Sequence, residues 1–322
     1  MRLFVTGGAG FIGSNYVHHV LASTDDRVTV FDALTYAGNR ENLAGLEEDP
    51  RFSFVHGDIC DRDAVAAALP GHDAVVHFAA ESHVDRSLLD PDVFVRTNCL
   101  GTNVLCDVAT SVGVDRFVHI STDEVYGSIE EGSFSEDAVL APRSPYSAAK
   151  AGSDLIALAY HETHHLPVLV TRSSNQYGPY QFPEKLIPYF VTSLIDDKRV
   201  PLYGDGLNVR DWLFVRDNCA AVDLVLRGGE VGEIYNIGAG NERTNREVTN
   251  LLLALLGKDE SAVEYVEDRK GHDRRYSITS AKVGALGWTP TTTFEDGLEQ
   301  TVRFYAERRD WWEPLVARVK NR

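Results

Sequence analysis

Through the first 170 residues, short apolar runs rich in Val, Ile and Phe alternate with stretches whose apolar residues recur at helical spacing. The runs fall at Leu3–Thr6, Arg27–Phe31, Phe52–Val55, Ala74–Phe78, Phe117–Ile120 and Val168–Thr171. Helical patterns lie between them, one reaching Leu21 and others at about 61–69, 92–111 and 146–162. Apolar runs without alternation are strands buried on both faces, and strands separated by helices build a parallel sheet. The pattern predicts a doubly wound α/β fold. Beyond Ser173 the rhythm breaks, with prolines at 179, 183, 188 and 201 and glycines at 178, 204 and 206. Helices recur near 184–196, 217–226, 244–256 and 294–308, with few strands expected between them. The expected division is residues 1–172, joined by part of 207–235, and a smaller, mainly C-terminal domain of 173–206 and 236–322.

Charge narrows the possible partners. The 322 residues carry 48 acids and 31 Lys or Arg, a formal charge of −17. Such a chain repels phosphate backbones and anionic lipid, so the expectation is no nucleic acid and no membrane. The longest apolar block, Leu251–Leu256, falls far short of the ~20 residues of a membrane span. The N-terminus runs directly into Leu3–Val5, without the pattern of a signal peptide. Cys60, Cys99, Cys106 and Cys219 lack C-x-x-C or metal-finger spacing and read as thiols of a reducing, cytoplasmic compartment. His77, His83, His161, His164 and His165 show no ligand pattern, so no metal is expected and they read as structural or exposed.

The first strand runs into Thr6-Gly7-Gly8-Ala9-Gly10-Phe11-Ile12-Gly13. Glycines there permit a tight turn, and the following helix offers free N–H groups to a pyrophosphate. Gly7, Gly10 and Gly13 are the candidate phosphate-loop positions of a Rossmann-like sheet. Asp32 ends the second strand 19 residues after Gly13, where a carboxylate accepts a ribose 2′-hydroxyl and repels a 2′-phosphate. The cofactor expected is NAD. Tyr146 and Lys150, four apart on one helical face, supply a phenol and an ammonium. The lysine is expected to lower the phenol's pKa and make it a base for an alcohol. With Ser121-Thr122 closing a strand, the combination resembles the extended short-chain dehydrogenase/reductase family over essentially the whole chain.

Asp123 and Glu124 follow at the strand's carboxyl end. Simple alcohol oxidation or 4-epimerisation needs no extra carboxylates, whereas elimination of water beside a carbonyl uses an acid and a base. Here the chain resembles the dTDP-glucose 4,6-dehydratases. The strings that carry the likeness are Ala79–Ser87 (AAESHVDRS), Ser121–Gly127 (STDEVYG), Tyr177–Pro188 (YGPYQFPEKLIP), Pro201–Gly206 (PLYGDG) and Asp268–Asp273 (DRKGHD). The resemblance implies NAD contacts at Phe11, Ile12, Asp32, Leu34, Thr35, Asp58, Ile59, Ala79, Ala80, Ser82, Asn98, Tyr146 and Lys150. For dTDP-glucose it implies Ser82, Thr122, Asn175, Glu184, Lys185, Leu186, Pro201, Tyr203, Arg210, Asn245, Arg269, His272 and Tyr276. Lys185, Arg210, Arg269 and His272 also suit a diphosphate as cation-capable side chains in an acidic chain. The family's second asparagine before Tyr177 is Gln176 here, which puts the neighbouring cofactor contact in doubt.

The implied cycle is oxidation at carbon 4 with Tyr146 as base, loss of water across carbons 5 and 6 through Glu124 and Asp123, and hydride return to carbon 6. A nucleotide-sugar 4-epimerase, a GDP-mannose-type dehydratase and a non-catalytic NAD-sensing protein stay open as alternatives. A homodimer is expected by resemblance through the helices near 92–111 and 146–162. The stripe Leu100, Val104, Leu105 and Val108 suits that interface or the sheet. Trp311-Trp312 reads as core closure.

Overall fold

The computed structural model describes residues 1–268 and 272–320. Twelve strands occur among them: β1 (Arg2–Thr6), β2 (Arg27–Asp32), β3 (Phe52–His56), β4 (Ala74–His77), β5 (Arg116–Thr122) and β6 (Val168–Ser173), then β7 (Asn175–Tyr177), β8 (Val200–Tyr203), β9 (Val209–Phe214), β10 (Ile234–Ile237), β11 (Glu242–Thr244) and β12 (Val263–Val266). Seven form one parallel sheet in the order β10-β6-β5-β4-β1-β2-β3. Strand order reverses between β1 and β4, and ligands of such sheets bind outside the carboxyl ends at that point.

Successive side chains of a strand point to opposite faces, so each apolar run feeds two cores. Leu3, Val5, Val28, Val30, Val76, Val118 and Leu169 pack beneath helices Phe11–Ser23 and Val215–Gly228. Phe4, Phe31, Val75, Phe117, Val168 and Val170 pack on the other face, beneath helices Thr102–Val112 and Pro145–His164. Val104, Leu105 and Val108 belong to this second core, so most of the stripe turns toward the sheet. Leu100 remains 49% exposed in a π-helical segment, Val95–Gly101, that interrupts the expected helix.

The C-terminal half holds more strands than expected. β11, β9 and β7 form a three-stranded sheet, and β12 pairs with β8. They are three to six residues long, too short for a period-two signal to rise above the loops around them. A separate core of Tyr177, Phe190, Leu202, Trp212, Phe214, Leu252, Phe294 and Tyr305 holds them, closed by the buried Trp311 and Trp312. Between the two parts the chain doubles back: helix Val215–Gly228 and β10 rejoin the large sheet after β9 has joined the small one. No helix among the described residues is long and apolar enough to cross a membrane.

Candidate active site

One cleft of about 800 Å³ runs from the phosphate loop to the small sheets. At its first end Gly7 sits at φ +70°, where a Cβ would lie 2.5 Å from the Ala79 backbone nitrogen. A Cβ on Gly13 would lie 2.3 Å from the Gly7 carbonyl oxygen. Both positions therefore exclude any side chain. Gly10 precedes helix Phe11–Ser23 without a side-chain cap, leaving the helix N-terminus uncapped by protein side chains. Phe11 and Ile12 line the cleft at that point. Asp32 is buried and accepts from the Ala9 N–H at 2.9 Å and the Leu34 N–H at 2.8 Å. Burial pushes its carboxyl upward against those two bonds. Each oxygen keeps a second lone pair, so Asp32 can order the loop and still accept a hydroxyl. The cradle, the bare helix end and the carboxylate fit a dinucleotide.

The other positions implied for the cofactor divide into two kinds. Leu34 and Thr35 line a small recess with Tyr36 and Arg86, and Ser82 and Tyr146 line the main cleft. Ala79 and Ala80 follow β4 directly, with the Ala79 N–H on the Thr6 hydroxyl at 3.3 Å. Asp58 accepts from the Cys60 N–H at 2.9 Å, and the Ile59 side chain belongs to the sheet core. Asn98 is buried with both ends of its amide on the Glu81 backbone, at 2.8 and 3.0 Å, so it shapes the loop that faces the cleft.

β5 ends at Thr122, and a 3₁₀ turn, Asp123–Tyr126, presents both acids. Asp123 is buried with its Oδ2 lacking a hydrogen bond, and Oδ1 accepts from the Thr122 hydroxyl at 3.3 Å. Burial, then the charges of Glu124 and Asp211, hold this carboxyl well above the usual carboxylate range. Asp123 is thus shifted toward its protonated, donating form. Thr122, Glu124 and Tyr146 face the same cleft.

Tyr146 corrects one expectation. Its phenol is pushed well above 10, first by burial and then by Glu124, while the Thr122 hydroxyl works in the other direction. Lys150 does not offset this: its Nζ donates to the Ile120 carbonyl at 2.6 Å. Burial lowers the Lys150 ammonium to about 8, against the pull of Asp154. The phenol is therefore neutral at rest and becomes a base only where positive charge is brought beside it.

The far end of the cleft is built from short elements. Asn175 stands on β7, Pro201 and Tyr203 on β8, and Arg210 on β9. Glu184, Lys185 and Leu186 lead into helix Leu186–Ile195, and Asn245 begins helix Asn245–Leu255. All of these line the cleft, with His272 and Tyr276 closing over it. Lys185 Nζ donates to the Ser82 carbonyl at 2.7 Å, and Tyr36 donates to Glu184 at 2.9 Å, tying the two walls together. The Arg210 guanidinium donates to the carbonyls of Val209 and Asp273 and lies 4.3 Å from the Tyr276 ring centroid. Arg269 lies outside the described residues.

Several cleft residues went unread. His83, expected to be structural or exposed, lines the cleft and caps helix Val84–Leu89 through Nδ1. Trp212 stands two residues after Arg210 on β9, the strand spacing that puts both on one face. Tyr36, Arg86, Gln181 and Asp273 lie beside or within the motifs already singled out, whereas Arg318 arrives from the C-terminal helix with no local signal. Among the described residues no group of three His, Cys, Asp or Glu could hold a metal ion.

The family model described as GDP-mannose 4,6 dehydratase matches residues 4–301. A dTDP-glucose 4,6-dehydratase from Streptomyces antibioticus is 56% identical, covering 99% of this chain and 96% of the relative. A low-salt glycan biosynthesis protein from Haloferax volcanii is 55% identical over 95% of this chain and 98% of the relative. Among solved structures, a dTDP-glucose 4,6-dehydratase from Streptomyces venezuelae, crystallised with NAD bound, is 58% identical. It superposes with a TM-score of 0.96, covering 98% of this chain and 100% of that one.

Proposed function

The chain belongs to the GDP-mannose 4,6 dehydratase family, and we propose that it carries out the NAD-dependent dehydration of dTDP-glucose to dTDP-4-keto-6-deoxyglucose. The observation that carries this reading is Asp123-Glu124: two adjacent acids at a strand end, one with its pKa pushed up by burial, facing the same cleft as Tyr146. A 4-epimerase has no work for that pair.

The loop from Gly7 to Gly13 and the end of helix Phe11–Ser23 would hold the pyrophosphate of NAD, and Asp32 a ribose. When bound, NAD supplies an acceptor for the hydride of carbon 4 and its return to carbon 6. Tyr146, ionised once positive charge stands beside it, would receive the proton of the sugar 4-hydroxyl, with Thr122 bonded to the same oxygen. The resulting ketone acidifies the proton on carbon 5, which Glu124 removes. Asp123 gives its proton to the 6-hydroxyl, which leaves as water, and carbon 5 is reprotonated as carbon 6 gains hydride. Arg210, Lys185 and His272 are the cation-capable groups for the diphosphate, with Arg269 as a further cation by resemblance. In this reading residues 1–172, with part of 207–235, serve the cofactor, and 173–206 with 236–322 serve the nucleotide sugar.

Incubation with dTDP-glucose followed by the alkaline ultraviolet absorbance of a 4-keto product tests the reading. Product from dTDP-glucose supports it; product only from another nucleotide sugar replaces the base assignment. The reading extends to a cytoplasmic homodimer. Four free thiols suit a reducing compartment. Val95, Leu100 and Leu155 are exposed apolar side chains on the stretches near 92–111 and 146–162 and support two-fold pairing there. A sedimentation mass of one 35.6 kDa chain at micromolar concentration would rule the dimer out.

A further inference from the structure

A run of buried polar groups lies behind the reactive face and lines no part of the cleft. Asp154, one turn after Lys150 on helix Pro145–His164, is fully buried. Its Oδ2 accepts from Arg172 Nε at 3.0 Å, and its Oδ1 lies 3.2 Å from His119 Nε2. Arg172, on β6, also donates through NH1 to the Tyr126 hydroxyl at 2.8 Å, and its guanidinium lies 4.9 Å from that ring's centroid. The Tyr126 hydroxyl in turn donates to Asn236 Oδ1 on β10 at 2.8 Å. Tyr126 is the last residue of the turn that presents Asp123 and Glu124, and Asp154 shares a helix with Tyr146 and Lys150. Arg172 therefore holds one reactive element with each end of its fork.

A buried ion pair is a poor source of net stability, since well-packed apolar residues often serve as well. What it supplies here is registry. The acid-bearing turn is four residues long, capped by the Thr122 hydroxyl on the Glu124 N–H at 3.2 Å and closed by the Gly127 N–H on the Glu124 carbonyl at 3.3 Å. Val125 packs in one cluster with Ala151 of the helix and accepts from the Ala141 N–H at 3.0 Å, and the Tyr126 hydroxyl adds the polar link that fixes the turn against Arg172 and, through it, Asp154. A misplacement of about 1 Å costs a catalytic group ~10²-fold.

We propose that Tyr126 and Arg172 are positioning residues that set the spacing between the oxidising pair, Tyr146 and Lys150, and the eliminating pair, Asp123 and Glu124. Both pairs then reach the same bound sugar. This rests on the dehydratase reading above. Loss of the link leaves Tyr146 on its helix and lets the turn shift, so the elimination suffers and the oxidation does not.

Tyr126→Phe removes one oxygen and keeps the ring stacked on Phe134, 5.3 Å away. Rapid-mixing single turnovers with dTDP-glucose would follow the rise and decay of reduced nicotinamide absorbance and the exchange of carbon-5 hydrogen with deuterated solvent. The expected result is a rise within about twofold of the wild type, a decay and exchange slowed ~10–100-fold, and an unchanged KM. Arg172→Lys keeps the charge beside Asp154 but loses the fork, so it should shift the balance of the two steps in the same direction. It also serves as the readout if Tyr126→Phe does not fold. Equal slowing of both steps, or slowing of neither, in the folded variants overturns the proposal. A wild-type protein that forms no 4-keto product would instead overturn the dehydratase reading, so the two failures are distinguishable.

Discussion

The two ends of the cleft are made of different material. At the cofactor end the decisive atoms are backbone: a left-handed Gly7, a Gly13 pressed against its carbonyl, an uncapped helix start, and Asp32 spending two acceptor positions on its own loop. At the sugar end the decisive atoms are side chains carried on short strands and helix starts, with Arg210 held by two carbonyls and the Tyr276 ring. Backbone geometry gives a site that accepts one shape and tolerates no added atom. Side-chain geometry gives a site whose strength is set by charge and can be graded. The difference teaches that substitutions at the first end should act all-or-none and those at the second by degrees.

The largest effect expected is on the acids. Glu124→Gln keeps shape but accepts no proton, so 4-keto-6-deoxy product should form ~10²–10⁴-fold more slowly, while reduced nicotinamide still appears transiently. Near-normal product formation, or wild-type turnover in heavy water with no deuterium at carbon 5, would return the pair to an acidic turn. Next, Gly7→Ala combines a left-handed backbone with a contact to Ala79 that cannot relax. It should destabilise the fold by roughly 2–6 kcal/mol and leave the purified protein without NAD, as read by thermal melting and by nucleotide content. Against it, Arg210→Lys keeps the charge but loses the fork, and should raise the KM for dTDP-glucose about tenfold with NAD retained. If the lysine variant also lost NAD, the contrast between the ends would fail. Calorimetry should then find NAD+ bound more tightly than NADP+, by about tenfold or more, because Asp32 repels a 2′-phosphate.

Smaller effects come from pH. Lys150 loses its proton near pH 8 in the folded protein, far below the 10.5 of an exposed lysine, so turnover that depends on its charge should fall through an alkaline limb there. A kcat flat to pH 9.5 would remove that charge from the mechanism. In stability the sign is opposite: the buried charge costs stability below about pH 8, and that cost is relieved as pH rises from about 8 toward 10.5. His77 and His119 have pKa values lowered, first by burial, with Asp154 opposing the shift at His119. The unfolded chain binds their protons as pH falls through 6.5, so stability contributed by these two should drop by up to about 1.4 kcal/mol each per pH unit below that point. Urea midpoints at pH 7.5 and 5.5 measure the drop.

Legibility followed the same division. The six leading strands were readable because each is a short run dominated by Val, Ile, Leu and Phe, and the phosphate loop because glycine spacing follows from close backbone approach. Asp123 and Glu124 were readable as residues, but not that burial pushes the Asp123 carboxyl well above the usual carboxylate range. The Tyr146 reading failed in its electrostatics because spacing put Lys150 on the right face without showing that its ammonium turns to the Ile120 carbonyl. β7 was illegible because three residues carry no period and its partner, β9, lies more than 30 residues further on. Arg318 was illegible because its place depends on how the last helix folds back.

The late return of β10 bears on how the protein is made. Until residues 234–237 emerge from the ribosome, β6 is an open edge of an otherwise finished parallel sheet, exposing a row of unpaired N–H and C=O groups. The nascent chain must therefore carry an aggregation-prone margin while the whole first piece of the sugar-binding part is synthesised. For the same reason, exchanging the proposed sugar-binding pieces 173–206 and 236–322 between relatives would take three junctions, one after β6, one near residue 207 and one around β10.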